Sequence, residues 1–491
     1  MICMKRLLFI PALLCMLLCS GCGKNDDDNA WKGLSKDDQA LYFINEFAFN
    51  MVSTYYLWNN EIKDDLSKWT YNAEPISKVR EIRYKDKDGS EIDRWTQMTS
   101  DYETFQGSVS GNTKSTGLDF VLYYADASKQ NVVLVVTYTH PGSPAALAGL
   151  KRGDKIVALN DKTMTPDNYK ALISSTILGG GTTVLTMEDG KEISLSSKQM
   201  YMEPVNTYKV IVKDDRRIGY LHYTSFTLKS CEKLVEVFKE FRASGITELV
   251  LDLRYNSGGY SLTSELLASM IVPMKEVNNN SVFQRDIYNS ILTDAWGEEK
   301  ALFRTEFEIS EDDSKYTVST AGANPNISKL HVITTGKTAS ASESTVCGLL
   351  PYMNLDLIGE RSGGKFCGGF IVDGPTWFGW VKDDIGKEHY NNGVESTSNW
   401  GIYVMVSRYA DKDGVTASMP NGIAPDLEIG DNPLDGYQLG DENETMLAVA
   451  ISGKLPEEGP KQSSLSFRGP VRMEDQLPSP ALRIITPGKQ L

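Results

Sequence analysis

A serine-rich segment and a lysine further along the chain carry the residue types best suited to chemistry. The segment "GKTASASEST" (336–345) consists of small residues between a predicted strand and a predicted helix. Such a turn presents a serine Oγ at a helix N-terminus, where backbone N–H groups can hold an oxyanion. Serine needs a base, and a lysine can serve when burial favours its neutral form. Lys365 follows the next predicted strand, so Ser340 and Lys365 are expected at the same end of a sheet.

The glycine spacing around Lys365, in "GERSGGKF", also resembles a phosphate-binding loop. Such a loop needs Ser or Thr after the lysine to bind magnesium, but Phe366 stands there. The following "FCGGF" is a poor helix start, although the helix dipole is half of that mechanism. The sequence therefore argues against nucleotide binding and favours a Ser–Lys pair.

Other nucleophiles and bases remain as alternatives. Ser342 is the chief rival of Ser340 within the same segment. A hydrolase that uses His222 or His389 as its base is a further alternative. Ser257 has no base assigned to it and is interpreted as structural.

The N-terminus predicts export from the cytoplasm. Residues 1–21 combine basic residues with an apolar run of about 15 residues, which is short for a membrane span and typical of a signal peptide. Small residues before Cys22 resemble a bacterial lipobox, which implies lipidation of Cys22. With the acidic tether 22–34, this predicts an outer-membrane lipoprotein of the bacterial cell envelope, either periplasmic or surface-exposed.

Composition limits the partners. A net charge of −15 over 491 residues argues against a nucleic-acid partner. Most of the cysteines lie in or end the signal peptide, and the three that remain make no disulfide framework. No Cys or His cluster has the spacing of a structural metal site, so we expect no metal and no cofactor.

The chain then divides into a helical and a β-rich region. Residues 35–104 are predicted to be mostly helical, because Ser35 can cap a helix and apolar residues follow at helical spacing. These residues are Leu41, Ile44, Phe47, Met51 and Tyr55. Residues 105–205 are β-rich, with "NVVLVVTYTH" as a strand and "TMEDGKEISL" as a hairpin.

The β-rich region resembles a PDZ domain. Its "GSPAALAGLKRGDKIVALND" has a short helix that leads through a Gly-Asp pair into a strand. Upstream, "TGLDF" occupies the place of the family's carboxylate-binding loop, which implies that Gly117, Leu118, Asp119 and Phe120 bind a peptide C-terminus. In that mode the peptide adds a strand to the sheet edge.

Residues 206–455 alternate strands and helices, which predicts an α/β core with parallel pairing. The helix "CEKLVEVFKEF" places Cys231, Leu234, Val235, Phe238 and Phe241 on one face. Residues 276–325 are polar and are expected to form a long irregular insertion, and residues 456–491 a flexible tail.

The order of these regions, and four segments of the core, resemble the C-terminal processing peptidases, or tail-specific proteases. The segments are "GYLHYTSF", "LVLDLRYNSGG", "TASASE" with "GERSGGK", and "GIAPDLEI". The resemblance implies a multidomain α/β fold with a ClpP/crotonase-like core. It implies that Ser340 is the nucleophile and Lys365 the base, and that backbone N–H groups of Ala341 and of Gly258 or Gly259 form the oxyanion hole.

The chain departs from the family at the third catalytic partner. Some members have an acid where this chain has Pro351, and others have Gln where it has Gly369. The expected function is a serine endopeptidase that acts on protein or peptide substrates with accessible C-termini. The alternative is a weak or inactive relative that binds peptides or proteins.

Overall fold

The computed structural model describes residues 30–311, 314–455, 471–473 and 482–484. The predicted signal peptide and the predicted lipidation site Cys22 lie outside the described residues. No helix in the described ranges combines the length and the hydropathy that a membrane span requires.

The N-terminal region is helical and packs on the rest of the chain. Ser35 caps its first helix by accepting the Asp38 N–H at 3.2 Å, and the predicted apolar face is buried except for the half-buried Leu41. A π-helical turn, Met51–Tyr55, continues this helix. The elements are α1 (Lys36–Asn50), α2 (Lys63–Leu66), α3 (Pro75–Glu81), β1 (Gln97–Thr99) and α4 (Tyr102–Ser110).

The PDZ region forms its own sheet around a separate apolar core. Its predicted hairpin at Asp189-Gly190 is present, with Gly190 at φ +83° in the turn. The elements are β2 (Asn112–Ser115), β3 (Leu118–Tyr124), β4 (Val132–Thr139), α5 (Pro144–Leu147), β5 (Lys155–Leu159), β6 (Lys162–Thr163), α6 (Tyr169–Ser175), β7 (Thr182–Met187), β8 (Glu192–Ser196) and β9 (Lys198–Tyr201). The strands β3, β4, β5, β7 and β8 lie side by side in that order.

The α/β core contains the remaining described helices and all but one of the remaining strands. Its helices are α7 (Ser230–Ala243), α8 (Ser261–Ile271), α9 (Met274–Asn278), α10 (Ser290–Trp296), α11 (Ala341–Leu349), α12 (Gly374–Val381), α13 (Lys387–Ser396) and α14 (Thr445–Ser452). Its strands are β10 (Val205–Lys213), β11 (Arg216–Tyr223), β12 (Glu248–Asp252), β13 (Gly258–Tyr260), β14 (Val282–Tyr288), β15 (Glu299–Leu302), β16 (Glu306–Glu311), β17 (Ser314–Ser319), β18 (Lys329–Thr334), β19 (Leu355–Gly359), β20 (Cys367–Asp373), β21 (Gly401–Ala410), β22 (Leu427–Glu428) and β24 (Leu482–Ile484). The exception, β23 (Val471–Arg472), pairs with β3 in the PDZ sheet.

Two sheets build the core. The first has the order β10-β11-β12-β18-β19-β22, and every pair from β11 to β22 is parallel. The second has the order β13-β24-β20-β21-β14-β15, and β1 of the N-terminal region pairs with β21. The predicted apolar face of α7 is buried at all five positions. The prediction of a multidomain fold with parallel pairing in the core is confirmed.

The expectation of an irregular insertion at 276–325 is wrong. Strand β14 pairs with β21 inside the second sheet, and β16 and β17 form a hairpin. Apolar residues scattered among the polar ones, such as Phe303, Phe307 and Ile309, are fully buried and attach this segment to the core. The expectation of a flexible tail is also wrong at two places, because β23 and β24 both pair with other strands.

Candidate active site

Ser340 stands between β18 and helix α11, in a conformation that L-residues rarely adopt. It immediately precedes Ala341, the first residue of the helix, and has a φ of 64° and a ψ of −113°. A non-glycine residue in such a region is strained by about 1–3 kcal/mol, and strain of this kind clusters at active sites. A sharp, strained strand-to-helix turn is also how α/β hydrolases present a nucleophilic serine.

The Ser340 hydroxyl is buried and has no hydrogen-bond partner among the described residues. Its rivals differ in this respect. The Ser342 hydroxyl donates to the Asn256 carbonyl oxygen at 3.0 Å, and the Ser344 hydroxyl donates to Gln284 Oε1 at 2.9 Å. A buried hydroxyl without a partner is costly, so Ser340 is the member of the segment whose Oγ is available for a substrate.

Glu343 joins the two candidate catalytic residues through one carboxylate. One of its oxygens accepts the N–H groups of Ser340 and Lys365, each at 2.8 Å. The other accepts the Gly364 N–H at 2.7 Å and the Ser362 hydroxyl at 2.5 Å. Because each oxygen accepts two hydrogen bonds, the ionised form fits this position best. Burial nevertheless raises the pKa of Glu343, and the hydrogen bonds oppose that rise.

Lys365 is fully buried in the loop between β19 and β20. Its Nζ donates to the Tyr403 hydroxyl at 2.7 Å and lies 5.5 Å from the centroid of the Trp95 ring. Tyr403 belongs to β21, and Trp95 precedes β1. The lysine side chain is therefore oriented by a tyrosine from the second sheet.

Packing against β21 accounts for glycine at position 369, where the family resemblance predicts glutamine in some members. Gly369 lies in β20 directly opposite β21. A Cβ at Gly369 would clash with the carbonyl oxygen of Val404 and approach the Tyr403 ring to 2.8 Å. Packing of β21 thus leaves room for glycine alone, and a tyrosine on that strand contacts the lysine instead.

The predicted oxyanion donors lie around Ser340. Ala341 N–H is at the first position of α11, where N–H groups have no partner inside the helix. Gly258 N–H donates to Asn256 Oδ1 at 2.9 Å. The Gly258 carbonyl and the Tyr260 N–H both bond to Phe226, so the intervening Gly259 directs its N–H to the opposite edge of the strand, beside β24. Of the two predicted glycines, Gly258 thus has its N–H engaged by a side chain, whereas Gly259 directs its N–H toward β24.

The histidine alternatives lack a connection to Ser340. His222 Nδ1 lies 3.1 Å from Asn206 Oδ1, and burial lowers the pKa of His222 to about 4. His389 Nε2 lies 2.8 Å from a Glu46 carboxylate oxygen, on the N-terminal region.

The predicted carboxylate-binding residues begin the strand β3. Gly117 has a φ of +70°, and a side chain there would overlap Ser143. Leu118, Asp119 and Phe120 start β3, which pairs with β4 on one edge. The Asp119 carboxylate accepts the Thr137 hydroxyl at 2.5 Å. The other edge of β3 pairs with β23 of the tail.

A buried ionic network connects the PDZ region to the core. Arg152, from the PDZ region, donates to Asp431 at 2.6 Å and to the Tyr255 hydroxyl at 3.2 Å. Arg254 donates to Glu444 at 2.6 Å and to Asp431 at 2.9 Å. Burial alone would raise the pKa of Asp431, but the two arginine charges lower it far below its usual range.

Two residues of the candidate site, Glu343 and Tyr403, are not among the site residues predicted from the sequence. Glu343 carries a local signal, because Ser-x-x-Glu at 340–343 is the capping-box pattern and predicts a contact back to the Ser340 N–H. Tyr403 has no such signal, since strand pairing brings it to Lys365 from a distant part of the sequence.

Comparison with known proteins gives matches to a peptidase family and to a PDZ domain. Residues 217–429 match the profile of peptidase family S41, and residues 135–177 match a PDZ domain. A probable CtpA-like serine protease of Staphylococcus aureus (strain bovine RF122 / ET3-1) is 25% identical over 227 residues, which are 46% of this chain and 42% of that protein. The carboxy-terminal processing protease CtpA of Bacillus subtilis (strain 168) is 26% identical over 241 residues, 48% of this chain and 45% of that protein.

The matched region thus spans less than half the length of these curated relatives. The crystal structure of a putative S41 protease from Bacteroides fragilis has the same fold, with a TM-score of 0.62 and 21% identity, and the match covers 83% of this chain and 97% of that one. The motifs, the fold and these similarities together support a C-terminal processing peptidase of family S41 that carries a PDZ domain.

Proposed function

We propose that this chain is a serine endopeptidase that cleaves protein substrates captured through their C-terminal region by the PDZ domain. The observation that carries the proposal is the state of Ser340, whose hydroxyl is buried and unpartnered and whose backbone is strained. Through the Glu343 carboxylate, its backbone is connected to that of Lys365, the candidate base.

In the first half of the reaction, neutral Lys365 takes the Ser340 proton while Oγ attacks the substrate carbonyl carbon. The N–H groups of Ala341 and Gly259 stabilise the resulting oxyanion. The C–N bond then breaks, and the leaving amine takes its proton from Lys365. An acyl group remains on Ser340.

In the second half, Lys365 removes a proton from a water molecule, whose oxygen attacks the acyl carbon. The bond to Ser340 Oγ breaks, and Oγ recovers its proton from Lys365. In both halves Tyr403 keeps the Nζ in position through the hydrogen bond that the side chains share.

The proposed capture step uses the edge of β3 that does not pair with β4. A substrate's C-terminal segment adds to the edge of β3, and its carboxylate is bound by the N–H groups around Gly117 to Phe120. The arginine network between the PDZ domain and the core supports this step, because it fixes the orientation of the capture strand relative to the site.

The test is hydrolysis of unfolded casein by the chain from residue 30. We expect Ser340→Ala and Lys365→Ala each to lower the rate by at least about a thousandfold, while Ser342→Ala, the matched control, keeps most of it. Circular dichroism checks that each variant is folded. Equal, negligible hydrolysis by all four proteins with retained casein binding would establish the binding-protein alternative instead.

We also propose that Cys22 is lipidated and anchors the chain to the outer membrane. The proposal rests on the apolar segment and the small residues that precede Cys22. Expression in a Gram-negative host with a radiolabelled fatty acid should label the wild type and not Cys22→Ser. A labelled Cys22→Ser chain, or an unlabelled wild type that reaches the envelope, would refute the anchor.

A further inference from the structure

One strand of the chain's C-terminal tail lies between the two strands that border the candidate active site. The backbone of β24 pairs in parallel with β13, with Leu482 opposite Gly258 and Arg483 opposite Gly259. On its other side, Ile484 pairs with Gly369 of β20. Helix α11, which begins just after Ser340, contacts the same strand.

The space that β24 fills is as wide as one strand. Neighbouring strands lie about 4.8 Å apart, so β13 and β20 are separated by roughly 10 Å with β24 between them. The glycines proposed for the oxyanion hole border one side of this space, and the strand that follows Lys365 borders the other. A substrate segment that reached Ser340 in extended form would need the same space.

A second stretch of the tail pairs with the peptide-binding edge of the PDZ domain. Val471 and Arg472 run antiparallel to Tyr124 and Tyr123 in β3, and Met473 N–H donates to the Leu122 carbonyl at 3.0 Å. Met473 is 4% exposed and belongs to the apolar core of the PDZ domain.

Arg472 attaches this stretch to the core as well. It forms an ion pair with Glu360 at 3.1 Å and donates to the Asp431 carbonyl oxygen at 3.4 Å. Glu360 follows β19 in the loop that leads to Lys365. The neighbouring Glu360 and Asp431 raise the pKa of Arg472 against the opposing effect of burial, so this contact favours the docked tail electrostatically.

The order of the two contacts distinguishes the tail from a substrate held by its C-terminus. A substrate whose C-terminus occupied the PDZ domain would present earlier residues to Ser340. In the tail the PDZ contact, 471–473, comes first and the contact beside Ser340, 482–484, comes later. The tail therefore contacts both places in the opposite order to a captured substrate.

We propose that the tail, through residues 471–473 and 482–484, is an intramolecular ligand that occupies the PDZ edge and the catalytic space and excludes external polypeptides from both. The inference rests on the proposed function only in taking the space beside Ser340 as the substrate site. Substrate access then requires that the tail leave both strands.

Hydrogen exchange of the Ser340→Ala chain tests the occupancy without any need for activity. We expect the amides of 471–473 and 482–484 to exchange at least about tenfold more slowly than an unstructured chain. Arg472→Glu should remove that protection because it breaks the ion pair with Glu360. Ile484→Pro should remove it because it breaks the strand pairing with Gly369. Lys454→Glu, at an exposed lysine outside the tail strands, is the control and should leave it unchanged.

Binding of fluorescently labelled, unfolded casein by the same Ser340→Ala proteins tests the exclusion. A tail that occupies the site nine-tenths of the time weakens external binding about tenfold, so Arg472→Glu and Ile484→Pro should tighten the Kd by about that factor. Fast exchange at both stretches, or an unchanged Kd in both variants, would overturn the inference. Hydrolysis by the wild type is a separate measurement, so failure of the peptidase proposal would be seen independently.

Discussion

At the scale of single residues, the candidate site depends on how four side chains are constrained. Ser340 has a strained backbone and an unpartnered hydroxyl, whereas Glu343, Lys365 and Tyr403 are fully engaged. The carboxylate of Glu343 bonds to the backbone of both proposed catalytic residues, so the serine and lysine cannot shift independently. Preorganisation of this kind is a large source of enzymatic rate enhancement.

The strain at Ser340 predicts an unusual effect of glycine. Glycine adopts positive φ without penalty, and the Ser340 side chain makes no hydrogen bond that would be lost. We expect Ser340→Gly to raise the free energy of unfolding by about 1 kcal/mol while removing activity. In urea denaturation, the control Ser342→Gly should destabilise, because Ser342 lies inside α11 and donates a hydrogen bond. Equal destabilisation by both variants would contradict the strain.

Removal of the Tyr403 hydroxyl tests the third partner of Lys365. Tyr403→Phe keeps the ring but loses the 2.7 Å hydrogen bond to Nζ. Because small misplacements of a catalytic group are costly, we expect kcat to fall on the order of a hundredfold with little change in KM. Tyr352→Phe, whose hydroxyl bonds to the Val282 carbonyl away from the site, should keep its kcat. A wild-type kcat in Tyr403→Phe would show that Lys365 needs no such partner.

At the scale of elements, the site follows from the strand–helix–strand unit β18–α11–β19. Parallel pairing of β18 and β19 brings the turn before α11 and the loop after β19 to one end of the sheet. The serine comes from that turn and the lysine from that loop, as the sequence predicts. Strand β21 then adds Tyr403 from the second sheet.

The network between the PDZ domain and the core predicts that Arg152→Met lowers the free energy of unfolding much more than Lys155→Met, in the same domain. Arg152→Met leaves the buried Asp431 with one arginine partner fewer, and breaking such a pair costs about 3–5 kcal/mol. Lys155→Met removes an ion pair to Glu188, which is 62% exposed, and should cost under about 1 kcal/mol. Denaturation in urea gives both values, and similar losses would contradict the role of the network.

Buried His222 predicts how stability depends on pH. Its pKa is about 4 in the folded chain because of burial, and about 6.5 when unfolded. Between these values the unfolded state binds more protons, so stability is lost as the pH falls from 6.5 to 4, by roughly 3 kcal/mol in all. We expect His222→Gln to lose correspondingly less than the wild type over that range, as measured by urea denaturation. A difference between the two that is independent of pH would contradict the shift.

At the scale of the whole molecule, local patterns predicted more than distant pairings. The sequence predicts helix α7 and places Ser340 near Lys365, because 3.6-residue periodicity and the strand–helix–strand order are local signals. It does not predict the contact of Tyr403 with Lys365 or the two tail strands, because strand pairing across long sequence separations leaves no pattern in either segment. The irregular insertion expected at 276–325 overlooks one local signal, since Phe307 and Ile309 alternate with the exposed Glu306 and Glu308 in β16. The pairing of β14 with β21, in contrast, joins distant segments and leaves no local pattern.

Covalent labelling of the nucleophile is the most direct test of whether Ser340 reacts with the help of Lys365. The chain from residue 30 and its Ile484→Pro variant, in which the tail strand is broken, are treated with diisopropyl fluorophosphate and digested for mass spectrometry. We expect a phosphoryl adduct on Ser340 in at least the Ile484→Pro chain, and its loss when Lys365→Ala is added. An adduct on Ser342 or on another residue, or equal labelling of Ser340 without Lys365, would contradict this expectation.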